Sequence, residues 1–231
     1  MLVPRTDSEG GGLVRLTYFA HSCFLVEAAD GTRVIIDPYL TNSFDGALRY
    51  GAIAEPADVV LATHEHDDHG ATSTIPGNPL VFVHPSKEQV GGVAITGVQV
   101  AHDEAGGSKR GKNTIIVLDD GQVRLAHLGD LGHALDAATG KAVGRGDVVL
   151  VPVGGFFTID YKEAAQVVES LAPRIVVPMH YKTEMTDFPI TTEEQFLATQ
   201  KNVVREQSST LEITPDTLPA ERTVVVLKRA R

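Results

Sequence analysis

Four short apolar runs in this chain each end within a few residues of a histidine or an aspartate. "VVLAT" (59 to 63) leads into "HEHDDH", "VQVA" into His102, "VRLAHLG" into Asp130 and "IVVPM" into His180. Runs of this length between turn residues read as strands. A chain that repeats the pattern is constrained to a layered α/β fold, where loops at strand ends converge on one site.

The remaining sequence fits that frame. "LVRLTYFAHSCFLVEAADGTRVIID" (13 to 37) reads as strand, strand, turn, strand, with Asp30-Gly31 as the hairpin signal. "DVVLAT" (58 to 63), "PLVFVH" (79 to 84), "DVVLVPV" (147 to 153) and "RIVVPMH" (174 to 180) read as buried strands. "NTIIVLDDGQVRLAHLGD" (113 to 130) is a second hairpin turning at Asp120-Gly121, and "RTVVVLK" (222 to 228) closes the chain. Helices are fewer. Residues 160 to 173 carry apolar positions at helical spacing, with Asp160 as N-cap, Glu163 three residues on and Pro173 as the stop. Residues 191 to 200 begin with a threonine cap and an acidic first turn, and "SKEQVGG" (86 to 92) suits a short helix. No repeat or linker divides the chain. The expectation is one domain over residues 13 to 231, preceded by a loose, Gly-rich end over 1 to 12.

Bulk properties narrow the function classes. Acidic residues outnumber basic ones, 30 to 20, for a formal charge of −10. That balance argues against a nucleic-acid surface and against docking on anionic lipid. Cys23 is the single cysteine, so no intramolecular disulfide can form, and a reduced, cytoplasmic setting is expected. The polar N-terminus lacks the apolar stretch of a signal peptide. The longest nearly apolar run, "VVLVPVGGFF" (148 to 157), is too short to span a bilayer. A small-molecule substrate is the expected partner, and the oligomeric state is not specified.

The densest polar stretch is "THEHDDHG" (63 to 70), with three histidines, two aspartates and a glutamate. A core segment would not tolerate that much unpaired polarity. On an extended segment His64 and His66 point to one side and can grip one cation. Asp68 and His69 lie on the following turn and can face a second position. Imidazole nitrogen and carboxylate oxygen are donors that zinc takes, and manganese or iron accept the same set.

His64-Glu-His66-Asp-Asp68-His69 after a strand resembles the signature of the metallo-β-lactamase-fold superfamily. His102 in "VAHDE", Asp130 in "HLGD" and His180 in "PMHYK" follow in the order that family shows, and Asp37 in "VIIDPYL" matches its early aspartate. The phrases "HSCFLVE", "HLGDLGH", "VPVGG" and "PMHYKT" resemble a bacterial and archaeal hydrolase subgroup related to the ascorbate-6-phosphate lactonase-like proteins. The resemblance implies a four-layer αββα sandwich and two divalent ions, with zinc foremost. It implies His64, His66 and His102 on one ion, Asp68, His69 and His180 on the other, and Asp130 bridging. It further implies hydrolysis of an ester, lactone or phosphodiester by hydroxide formed at neutral pH, with Asp68 also orienting the water and handling its proton. Asp37 would accept an N–H from a ligating imidazole and fix its tautomer, although a turn-forming aspartate before Pro38 reads equally well on local sequence. Iron-dependent redox chemistry on the same ligands and a non-catalytic metal-binding protein are the alternatives. The lack of a cysteine at the site argues against β-lactamase activity itself.

Further polar and aromatic residues stand near this set in the sequence. His21 suits either a substrate contact or a satisfied core histidine, and His133 a hydrogen bond near the site. Lys182, two residues past His180 on an extended exit strand, would point the same way and could meet a substrate phosphate or carboxylate. His127, an odd number of residues before Asp130, should face away from it and reads as structural. Phe156 and Phe157 would wall a pocket or simply pack, and loops 39 to 56 and 181 to 191 would set specificity.

Overall fold

The computed structural model describes residues 12 and 14–231, so the loose end expected over 1–12 falls, apart from Gly12, outside the described residues. In chain order the strands are β1 (Val14–Ala20), β2 (Cys23–Glu27), β3 (Arg33–Ile36), β4 (Val59–Ala62), β5 (Leu80–Val83), β6 (Lys87–Val90) and β7 (Val93–Ala101). They continue with β8 (Lys112–Asp119), β9 (Arg124–His127), β10 (Val148–Pro152), β11 (Ile175–Met179), β12 (Val203–Arg205), β13 (Thr210–Ile213) and β14 (Thr223–Val226). The helical pieces are α1 (Ser43–Gly46), a single turn with Phe44 and Asp45 in the left-handed region, α2 (Ala137–Val143), α3 (Tyr161–Leu171) and α4 (Glu194–Leu197).

These strands form two sheets, a six-stranded one ordered β13-β1-β2-β3-β4-β5 and an eight-stranded one ordered β12-β14-β11-β10-β9-β8-β7-β6. Alternation along each strand explains why they stack. Leu16, Phe24, Ile36 and Leu61 of the first sheet meet Ile95, Ile116, Leu150 and Val177 of the second in one cluster between the sheets. Their sequence neighbours point outward. Ile115, Val149, Val151 and Val176 pack under Val167, Val168 and Leu171 of α3 and Phe196 of α4. Leu25, Ile35 and Val60 pack under Tyr39, Leu48, Tyr50 and Ile53 from the chain between β3 and β4. Strands covered on both faces must be apolar at consecutive positions, which is why the runs read as continuous. Each buried Leu, Ile, Val or Phe contributes about 1.5–3 kcal/mol relative to exposure. The arrangement is the α/β four-layer αββα sandwich, with the layer over the six-stranded sheet supplied mainly by irregular chain.

Helix α3 begins where the sequence places it. Asp160 Oδ1 accepts from the backbone N–H groups of Lys162 and Glu163 at 2.8 and 2.9 Å, and Glu163 Oε2 accepts from Asp160 N at 2.9 Å. It ends at Ala172, in the left-handed region at φ 47°, because a residue before proline is disfavoured in the α region. Three expectations change. Residues 86–92 hold no helix: β6 pairs antiparallel with β7, and Gly91-Gly92 makes the tight connection. Strand β5 is present but not buried. It is the edge of its sheet, and Leu80 is 53% exposed; an apolar run does not reveal which strand is last. Helix α4 is only Glu194–Leu197, without a side-chain cap. No helix among the described residues is long and apolar enough to cross a membrane.

Strands β3, β4 and β5 run parallel in one sheet, and β9, β10, β11 and β14 in the other. The loops leaving β3, β4, β7, β9, β10 and β11 carry the candidate site.

Candidate metal centre

Three of its residues stand immediately after a strand in the left-handed region: His21 (φ 55°), Asp37 (φ 51°) and His180 (φ 51°). A non-glycine residue costs about 1–2 kcal/mol there, and such strain gathers at functional sites. Gly154, after β10, is required by a close approach: its N–H donates to His180 O at 3.1 Å, and a Cβ at this position would run into the same carbonyl. Gly129 lies at φ 54°, where a Cβ would collide with Asn113 Oδ1 and Thr63.

Asp37 organises the His-rich turn. Its Oδ1 accepts from Thr63 N at 2.7 Å, and its Oδ2 accepts from Thr63 Oγ1 at 2.8 Å and from His69 Nδ1 at 2.7 Å. A carboxylate only accepts, so in its neutral form His69 carries its proton on Nδ1 and turns the Nε2 lone pair inward. The Thr63 hydroxyl spends its proton on Asp37 and so accepts from His64 Nδ1, 3.0 Å away, leaving His64 Nε2 as a lone pair as well. One carboxylate thus sets the tautomer of two imidazoles.

Asp130 lies where they point. Its Oδ1 is 3.1 Å from His69 Nε2 and 3.4 Å from His180 Nε2. Its Oδ2 is 3.1 Å from His102 Nε2 and 3.8 Å from His64 Nε2. Asn113 fixes the aspartate's backbone by accepting from Asp130 N at 3.0 Å, and itself donates to Leu128 O. Asp68 Oδ2 faces His69 Nε2 at 3.6 Å and His180 Nε2 at 4.0 Å, and accepts from His21 Nε2 at 3.0 Å. Ligand-type atoms fall within 4.8 Å of one another in three overlapping groups: His21, Asp68, His69 and His180; His64, His66 and His102; and His64, His69 and Asp130.

The electrostatics follow from crowding these groups under cover. Burial and the neighbouring His69 hold His64 down to about 3, and burial with His180 holds His21 down to about 4. Burial also disfavours charge on His69, but the Asp130, Asp68 and Asp37 carboxylates together raise it well above an ordinary histidine. Burial works against the ionised Asp130, yet His180 and His69 hold its carboxyl well below the usual range. Asp68 is lowered too, by His69 and His21 against burial.

His64 Nε2, His69 Nε2, His180 Nε2 and Asp130 Oδ1 are buried and have no hydrogen-bond partner. An unsatisfied buried polar group costs about 1–3 kcal/mol, and four aimed at one region are what a cation repays. The donor set, imidazole and carboxylate with no thiol, fits a divalent ion. His64, His66, Asp68, His69, His102, Asp130 and His180 are brought together here, with Asp37 behind them.

Above them opens a cavity of about 240 Å³. His66, Asp68, His102 and Asp130 form its floor, and Phe44, Phe157 and Phe188 its walls. The three residues expected to bind substrate lie elsewhere. His21 is fully buried beneath Asp68, and its ring lies against His180, tilted by 43° with centroids 4.1 Å apart. His133 braces backbone beside the site: Nε2 accepts from Ala101 N, and Nδ1 donates to Ala134 O. Lys182 lines a different cleft and donates from Nζ to Phe188 O at 2.7 Å. The same-side argument for Lys182 fails because His180 is left-handed, so the chain turns rather than continuing extended. His127 is structural, donating from Nε2 to Ser22 O and accepting from Gly129 N at Nδ1.

Sequence reasoning passed over Thr63, Asn113 and Arg110. Thr63 and Asn113 act through hydrogen bonds between distant segments and leave no local pattern. Arg110, which reaches the cavity, stands in the Gly-rich "GGSKRG" loop after His102. Phe44 and Phe188 come from the two loops expected to set specificity, and Phe157 walls the cavity while Phe156 is 61% exposed.

Residues 15–180 match the beta-lactamase superfamily domain. A UPF0173 protein of Pyrococcus furiosus is 34% identical over 74% of this chain and 84% of its own length. A UPF0173 metal-dependent hydrolase of Aeropyrum pernix is 29% identical over 84% of this chain and 95% of its own. Among solved structures, a Thermotoga maritima protein assigned as a zinc-dependent hydrolase of the metallo-β-lactamase superfamily superposes with a TM-score of 0.76. It is 34% identical and covers 93% of this chain and 98% of its own.

Proposed function

The chain belongs to the beta-lactamase superfamily, and on that premise we propose that it is a metal-dependent hydrolase acting on an ester, lactone or phosphodiester bond of a small molecule. His64, His66 and His102 would hold one ion, and Asp68, His69 and His180 a second, with Asp130 between them. Zinc is the first candidate, and manganese or iron suits the same donors. One observation carries this reading: the Asp130 carboxylate turns Oδ2 to His102 and Oδ1 to His69, each at 3.1 Å.

Bound ions of this kind supply Lewis acidity and a source of hydroxide at neutral pH. The chain's own residues do the rest. Asp68 Oδ2 is engaged by His21, which leaves Oδ1 to orient the attacking water and take up its proton. With its pKa depressed, Asp68 stays ionised and can orient the water as a hydrogen-bond acceptor. His21, neutral because burial depresses it, donates from Nε2 and fixes the carboxylate's angle. Phe44, Phe157 and Phe188 exclude bulk water and pack the apolar part of the substrate. A cavity of about 240 Å³ suits a small molecule and not a polymer. A lone buried Cys23 is compatible with action in the cytoplasm.

Elemental analysis of protein purified without added metal tests the reading, followed by ester, lactone and phosphodiester screens. Two zinc or manganese ions per chain with turnover of one substrate class is the expected result. Iron with visible absorption would move the assignment to redox chemistry, and no metal after reconstitution would overturn it.

A further inference from the structure

Among the described residues one arginine, Arg110, lines the cavity, and it is held from both ends. Asp103, next to His102, accepts four backbone N–H groups: Ala105 at 2.8 Å and Gly107 at 3.0 Å on Oδ1, Lys109 at 2.9 Å and Arg110 at 2.8 Å on Oδ2. That folds the Gly-rich loop around a single carboxylate and fixes where the Arg110 backbone leaves it. At the other end, Arg110 Nη2 donates to Phe156 O at 3.0 Å, and the guanidinium carbon stands 5.6 Å from the centre of the Phe157 ring. Held by that hydrogen bond and over that ring, the guanidinium is positioned before anything binds.

Its charge is unspent. A guanidinium has five N–H donors, and Phe156 O is its one side-chain hydrogen bond among the described residues. The carboxylates on the cavity floor, Asp68 and Asp130, pair with histidines and not with Arg110. In a chain of net charge −10, a preorganised cation beside three phenylalanines is a specific feature of this cavity.

We propose that Arg110 is the specificity-determining residue of this cavity and that the substrates it selects carry a carboxylate or a similar oxyanion on an otherwise apolar or aromatic body. The body packs on Phe44, Phe157 and Phe188, the anion meets the free edge of the guanidinium, and the scissile bond lies over the floor. A charged hydrogen-bonded pair in a partly desolvated cavity is stronger than a neutral one, and a fixed arginine loses little freedom on forming it. The inference rests on the cavity being the substrate site of the proposed hydrolase.

Two matched pairs of probes test it on the metal-loaded protein. The first is the mono-4-nitroanilide of glutaric acid against the 4-nitroanilide of butyric acid, with binding read by calorimetry. The second is the corresponding pair of 4-nitrophenyl esters, with kcat/KM read by release of nitrophenol. The acid should bind at least about tenfold tighter than its neutral partner. Arg110→Met should collapse that ratio, and Arg110→Lys, which keeps charge without the fork, should keep part of it. Equal loss for both probes would mean that Arg110 only braces the Phe156 loop, and this overturns the proposal. An unaltered preference for the acid in Arg110→Met would mean that the anion is held at the metal floor, and this overturns it as well. An Arg110-dependent binding ratio with neither ester cleaved by metal-replete protein would remove carboxylic esters from the proposed function and leave this assignment standing.

Discussion

Asp37 Oδ2 accepts the Nδ1 proton of His69 at 2.7 Å, and neither side chain is exposed. The same oxygen accepts from Thr63 Oγ1, so it governs His64 as well. Asp37→Asn keeps the shape and removes this control. With an amide nitrogen facing Nδ1, His69 is driven to carry its proton on Nε2, where a lone pair is needed. Zinc affinity, measured by competition with a chromophoric chelator, should fall about 10–100-fold. Wild-type affinity in this variant would show that Asp37 is only a turn residue before Pro38.

Asp130 offers one oxygen to His102 and the other to His69, so its replacement should be felt by both groups of ligands. Asp130→Asn removes the negative charge and replaces one acceptor with a donor pointing at an imidazole. Metal content per chain should fall below that of the wild type, and hydrolysis of any substrate found should drop at least about 100-fold. Full stoichiometry in the variant would remove Asp130 from the bridging role.

Much of this centre is legible in the sequence because its residues sit beside strong local signals. His64, Asp130 and His180 each follow an apolar run whose burial on both faces makes it unmistakable, whereas His102 follows the end of β7, which is only partly buried and carries the exposed Gln99. What the sequence hides depends on backbone angle or on distant pairing. Lys182 was expected beside His180 on an extended strand, but the left-handed His180 sends the chain elsewhere. Residues 86 to 92 have the composition of a helix end, yet Gly91-Gly92 closes a hairpin that only pairing with β7 makes favourable. Arg110 lies in a loop without periodicity, and it reaches the cavity through Asp103, whose four backbone contacts leave no residue pattern to read.

The close approach of Gly154 to His180 gives a test that substitutes no proposed ligand. Gly154→Ala puts a methyl against the His180 carbonyl, 3.1 Å from Ile190 Cβ and 3.2 Å from Tyr181 Cα. The strand ends must separate, at a cost of about 1–3 kcal/mol in unfolding free energy. Because His180 moves with its backbone, zinc affinity should fall in the same variant. A stability loss with affinity intact would show that the loop absorbs the methyl without shifting the ligand.

His127 provides the opposite control, a buried histidine between Ser22 O and Gly129 N that touches no proposed ligand atom. His127→Ala leaves a carbonyl and an N–H buried without partners, each costing about 1–3 kcal/mol when nothing replaces the bond. The urea midpoint should therefore drop with the slope unchanged, while metal content per chain stays at the wild-type value. The separation matters because His127 lies 3.9 Å from Asp37 Oδ2, close enough that a shift in its segment could reach the turn. If metal were lost together with stability, Gly129 and Asp130 would depend on His127 for their position, and Asn113 alone would not suffice to hold the aspartate between its histidines.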